Sequence, residues 1–143
     1  MDDHAFVEAF ESCTLRPDLF HHRDHVRLAW IYLRRLPVLE ALARFSGGLR
    51  RYAAAIGKAD LYHQTITWAF LLLIQERMAR AEATSFQAFA DGNPDLLEWS
   101  PSVLSAYYHE ETLSSPLARR TFLLPDRRQD PPPPRALVSP VAL

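Results

Sequence analysis

Tyr62-His63-Gln64-Thr65-Ile66-Thr67-Trp68-Ala69-Phe70-Leu71-Leu72-Leu73-Ile74 is the stretch that decides the fold. Its second half, 68–74, is apolar in every direction around a helix. A helix of that character belongs inside a bundle rather than on its surface. Counting back from Ile74 by threes and fours leads through Phe70 and Thr67 or Ile66 to His63, so one line of a buried helix begins at an imidazole. The helix is predicted over about 61–83, with Asp60 before it. Sustained alternation of apolar and polar residues occurs nowhere, so no sheet is expected. The expected class is all-α, a compact bundle of about four longer helices plus short C-terminal helices.

Upstream, Phe20-His21-His22-Arg23-Asp24-His25 opens a helix predicted over 22–36. Its inward stripe is Val26, Ala29 or Trp30, Leu33 and Leu36; one step back lies His22, and His25 borders the same face. Before it, Asp3 is the expected cap of a helix reaching about residue 12, with Phe6, Val7 and Phe10 facing inward. After it, Pro37 opens a helix to about residue 56. Gly47-Gly48 interrupts that helix, marking a kink or the close approach of another backbone. Beyond the long helix, Thr84 or Ser85 caps a short piece holding Phe86 and Phe89, and further short helices are predicted at 94–99, 102–108 and 116–122. From Asp126 the texture changes to charge and then to Pro131-Pro132-Pro133-Pro134. Residues 1–125 are therefore expected to form a single helical domain and 126–143 a Pro-rich disordered tail.

A chain of 143 residues can bury one self-sufficient core. Its 48% hydrophobic and 23% charged content is that of an ordinary globular protein. With 16 basic against 17 acidic residues and a formal charge of −1, no broad attraction for nucleic acid or an anionic membrane is expected. A lone cysteine, Cys13, excludes an internal disulfide and a Cys-rich zinc framework. The first residues are acidic, without a basic-then-apolar signal, and the longest apolar run is too short to span a bilayer. These features predict a cytoplasmic protein; self-association is left open.

Four of the six histidines fall in the two helix starts. His22 and His25 are three apart and can point to one side of a helix. With His63 from another helix they would make a three-nitrogen set with open coordination positions, the pattern of a catalytic metal site. Burial and the positive end of a helix both disfavour imidazolium, so these rings are expected to be neutral, the form that binds metal or accepts a proton. Three imidazoles with few carboxylates nearby suit zinc, copper, nickel or iron, and not magnesium or calcium. Phe20, Tyr62, Gln64 and Thr67 are candidate ligand contacts, with Trp30 also in the wall. Thr65 is expected to bond back to a helix carbonyl, an alternative open to Thr67 as well. The sequence leaves His21 and His109 unassigned.

Against this stands the ordinary role of a histidine at a helix end, a partly buried ring hydrogen-bonded to a carbonyl. There is no Gly-rich phosphate loop, no His-Glu-x-x-His helix and no nucleophile elbow. Three functions remain. The first is a transition-metal-binding protein, or a metalloenzyme acting on a small organic substrate. The second is a non-enzymatic small-molecule-binding or protein-interaction domain with structural histidines. The third is a metal-free acid–base enzyme using His63.

The stretches Phe20-His21-His22-Arg23-Asp24-His25-Val26-Arg27-Leu28-Ala29-Trp30-Ile31-Tyr32-Leu33 and Tyr62-His63-Gln64-Thr65-Ile66-Thr67-Trp68 resemble a family of small, uncharacterised bacterial helical proteins. That family has an His-x-x-His helix and a later Tyr-His-Glu/Gln-Thr segment. Asn93-Pro94-Asp95-Leu96-Leu97 and Phe122-Leu123-Leu124-Pro125-Asp126 are similar to it too, so the resemblance covers about 5–126. It implies that His22, His25 and His63 are the matched histidines; Gln64 stands where relatives carry glutamate.

Overall fold

The computed structural model describes residues 1–127, which hold helices and 3-10 turns and, among the described residues, no strand. Helix α1 spans Asp3–Glu11, α2 His22–Arg35, α3 Val38–Ala55, α4 Gln64–Arg80, α5 Phe86–Gly92, α6 Glu110–Leu113 and α7 Pro116–Arg120. The fold is all-α, as the periodicity predicts. Single 3-10 turns lie at Pro17–Leu19, Ala59–Leu61, Pro94–Leu96 and Val103–Ala106. Two of these replace the short helices expected at 94–99 and 102–108. Segments that short do not offset the cost of helix nucleation, and a tighter turn serves instead.

Helices α2 and α4 share the centre of the bundle, and α2 is the more deeply buried of the two. Leu28, Ala29, Trp30, Ile31 and Tyr32 are consecutive and all buried, which takes in the whole circumference, whereas Leu72 of α4 is 37% exposed. Helix α2 packs on both α3 and α4. Its arginines disguise this. Arg23, Arg27 and Arg34 lay their guanidinium groups over the rings of Phe86, Phe6 and Trp30. Their stems therefore cover apolar surface while the sequence reads as a polar face.

Helix α1 is capped by Asp2, one residue earlier than expected, whose carboxylate accepts the Ala5 N–H at 2.8 Å. Asp3 instead pairs with Arg27 at 2.7 Å and ties α1 to α2. Phe6, Val7 and Phe10 are buried as predicted. Gly47-Gly48 does not interrupt α3, which runs unbroken through both. A Cβ added at Gly48 would lie 2.5 Å from Cε2 of Phe10, so this glycine makes room for a ring rather than for a backbone.

The late segments close one end of the bundle. Thr65 donates to the carbonyl of Thr121 at 2.7 Å and accepts the Leu123 N–H at 3.1 Å, so its hydroxyl holds the C-terminal segment and not its own helix. Trp68 stacks on Phe122 with centroids 5.4 Å apart. Asp126 accepts the His109 N–H at 2.9 Å and the hydroxyl of Thr112. Arg127 donates its N–H to the carbonyl of Tyr107 at 3.0 Å. Ordered contacts thus extend past the expected boundary at residue 125. The remainder of the predicted tail, 128–143, lies outside the described residues. Among the described residues no helix is long and apolar enough to cross a membrane.

Candidate functional site: a histidine-bearing cavity

The starts of α2 and α4 do come together, around a cavity of about 650 Å³ that His22, His25 and His63 all line. The volume falls within the ~300–1,000 Å³ usual for small-molecule sites. Val26, Phe45, Leu49, Tyr52, Ile66, Phe70 and Ile74 make the wall mostly apolar, with Phe20 on one side and Trp99 on another.

Each helix start is built by its own cap. At α2 the Asp24 carboxylate turns back to accept the His21 N–H at 3.0 Å, leaving His22 and His25 on the inner side. His21 itself is exposed and lies outside the wall. At α4 the expected start at 61 is displaced. Residues Ala59–Leu61 form a 3-10 turn, Tyr62 is extended, and His63 is the N-cap rather than a residue of the first turn.

The three imidazoles then have different fates. His63 is buried; its Nδ1 accepts the Ile66 N–H at 3.1 Å and its Nε2–H donates to the carbonyl of Leu113 at 2.7 Å. Those two bonds fix a neutral tautomer and leave the ring no free lone pair. Burial lowers its pKa; the Leu113 bond opposes the shift, and the Arg119 charge adds to it. His22 donates Nε2–H to the carbonyl of Leu96 at 2.8 Å and keeps Nδ1 as an acceptor. Its ring sits 5.1 Å from those of both Phe70 and Trp99, and burial lowers its pKa too. His25 stacks on Phe20 at 3.9 Å, and its nitrogens make no hydrogen bond to another described residue. Burial first, and the neighbouring His22 second, push its pKa down to about 4. The ring nevertheless keeps accessible surface, and it lines the cavity.

The expected three-nitrogen donor set therefore lacks His63, whose nitrogens both serve the fold. Among the described residues no group of three or more His, Cys, Asp or Glu side chains is placed to hold a metal ion. His109 precedes α6 without a capping bond from its side chain; its backbone N–H is held by Asp126, and it is not in the cavity wall. No family model, no curated protein and no solved structure matches the chain. Its chemistry has to be read from this cavity alone.

Of the expected ligand contacts, Phe20, Tyr62 and Thr67 line the cavity. Thr67 is buried, and its hydroxyl makes no hydrogen bond to another described residue. Gln64 is outside the wall; its Oε1 accepts the Tyr62 hydroxyl at 2.6 Å. That bond ends a directed chain in which Trp68 Nε1–H donates to Ser46 Oγ, Ser46 to Tyr62, and Tyr62 to Gln64. The chain holds the tyrosine ring in place between α3 and α4. Trp30 is not in the wall either, because it lies on the far side of α2 beside Phe86, at 5.8 Å.

Sequence reasoning missed Lys58, Trp99 and Arg119, which also line the cavity. Trp99 follows a proline-bounded turn and carries no periodic signal. Lys58 stands out only in composition, as the only lysine in the chain. Arg119 sits on α7, which no local pattern brings to this site.

Proposed function

We propose that the protein binds a small, largely apolar organic molecule in the cavity between α2, α3 and α4, as a binding domain rather than through a three-histidine metal centre. One observation carries this reading: a cavity of about 650 Å³ with an aromatic and aliphatic wall contains an imidazole, His25, whose nitrogens no other described residue uses. A pocket of apolar surface with a few polar groups left for orientation is what small-ligand sites look like. Neutral His25, Nδ1 of His22 and the hydroxyl of Thr67 offer a ligand two-way hydrogen bonding without a charge to desolvate.

The test is titration of tag-free full-length protein with the neutral apolar dye Nile red, alongside the variant Ala53→Trp. Residue 53 lines the cavity, and an indole there would fill part of it. Saturable binding near one dye per chain, lost in Ala53→Trp while the thermal midpoint is kept, supports the reading. Equal binding to both proteins overturns it. Elemental mass spectrometry of the same preparation covers the competing function. About one tightly held zinc, copper, nickel or iron per chain, lost on His25→Ala, would favour a metal site instead.

A further inference from the structure

We propose that the molecule taken up by this cavity is an amphipathic monocarboxylate, its apolar body inside and its carboxylate at the rim between Lys58 and Arg119; this rests on the binding reading above. The cavity wall includes two permanent cations, Lys58 and Arg119, and no aspartate or glutamate. Both flank the Ala59–Leu61 turn. Arg119 Nη1 donates to the carbonyls of Asp60 at 2.9 Å and Tyr62 at 3.4 Å. The guanidinium is thus held in place by one nitrogen, while Nη2 and Nε make no bond to another described residue. A planar fork with a free edge matches a carboxylate. The Lys58 ammonium has no ion pair among the described residues.

The neighbouring acids do not compete within the wall. Asp18, beside wall residue Pro17, is paired with Arg16 at 2.7 Å. Asp60 is exposed, and its side chain is not part of the wall. The histidine end of the cavity is a poor host for an anion, because burial keeps His22 and His25 neutral at pH 7. An anionic group is stable only at the Lys58–Arg119 end, which orients the ligand: charge outward, apolar body toward Phe20, Phe70 and His25. Acting from a partly exposed rim, such a pair of cations should favour a carboxylate over a neutral head by about tenfold at low salt.

Three probes with one apolar body separate the possibilities: dodecanoate, dodecan-1-ol and dodecyltrimethylammonium, each titrated below its micelle concentration at pH 7.5 by calorimetry. The expected result is dodecanoate tightest, about tenfold over the alcohol, with the ammonium weakest. Lys58→Met should bring dodecanoate down toward the alcohol while leaving the alcohol unchanged. Lys58 is exposed, so the variant should fold; Arg119→Met is the second variant, read by the same carboxylate-to-alcohol ratio. An alcohol as tight as the carboxylate, or a ratio unchanged in both variants, overturns the carboxylate assignment and leaves the cavity reading standing. A tightest-binding ammonium would mean that the aromatic wall, not the cations, selects the head group, and this too overturns it. Failure of all three probes to bind removes the cavity reading and this inference with it.

Discussion

His25→Gln should flatten the acid limb of the stability curve. The histidine ring has a pKa of about 4 in the fold, chiefly because burial penalises its charge and secondarily because His22 lies beside it. An unfolded histidine titrates near 6.5. Between those values the unfolded chain holds a proton that the folded chain does not, so stability is fully present above pH ~6.5 and is lost as pH falls toward 4. The slope for one such group is about 1.4 kcal/mol per pH unit, and the window gives about 3 kcal/mol in all. Water reaching the ring through the cavity would reduce that to about 2 kcal/mol. His22 and His63 are lowered in the same direction, so they add to the proton uptake on unfolding in acid. Glutamine keeps a neutral polar group and removes one proton from that balance. Urea unfolding at pH 7.5, 6.5, 5.5 and 4.5, followed by tryptophan fluorescence, should show the variant losing about 2–3 kcal/mol less than the wild type across the range. Equal losses in the two proteins, or a His25 ring that titrates near 6.5 by NMR, would refute the claim that this imidazole is held neutral by burial.

Two further perturbations probe the scaffold. His63→Ala should cost about 2–4 kcal/mol, combining a lost N-cap (~0.5–2) with a Leu113 carbonyl left without its donor (~1–3). His63→Asn should recover part of this through the cap alone, and urea midpoints measured in the presence of a chelator check both. The adjacent glycines of α3 should respond with opposite signs. Gly47→Ala meets only Arg51 Nη1 at 3.5 Å and should stabilise by up to about 1 kcal/mol. Gly48→Ala drives a Cβ into the fully buried Phe10 ring and should destabilise by about 1–2 kcal/mol. Thermal midpoints moving the same way in both variants would contradict this packing of Gly48 on Phe10.

The class of fold was legible because helical periodicity is a local signal. Phe6-Val7-Phe10 and the 68–74 run needed no partner to be read. The depth of α2 was not, because Arg23, Arg27 and Arg34 look like a solvated face until their stems are seen lying on Phe86, Phe6 and Trp30. The meeting of His22, His25 and His63 around one space followed from faces alone. The roles of the three rings did not, since these depend on carbonyls supplied by distant segments, Leu96 for His22 and Leu113 for His63. Gln64 illustrates the same limit. Its place next to His63 suggested a ligand contact, but its partner is the Tyr62 hydroxyl two residues away.

A neutral imidazole has one donor and one acceptor, and a metal needs the acceptor. A histidine at a helix N-cap uses that same acceptor for a backbone N–H, so capping and coordination are exclusive uses of one lone pair when the ring's other nitrogen is donating. His63 illustrates this, with Nδ1 turned to Ile66 and Nε2–H to Leu113. Clustering of histidines at helix starts therefore cannot by itself separate a metal site from a pair of well-capped helices. What separates them is a ring left over once every cap and carbonyl is served. In this chain that ring is His25, stacked on Phe20 beside an apolar space. An uncharged imidazole so placed, with Nδ1 of His22 beside it, leaves acceptors for a guest in the cavity, whereas the third ring, His63, has both nitrogens committed to the fold.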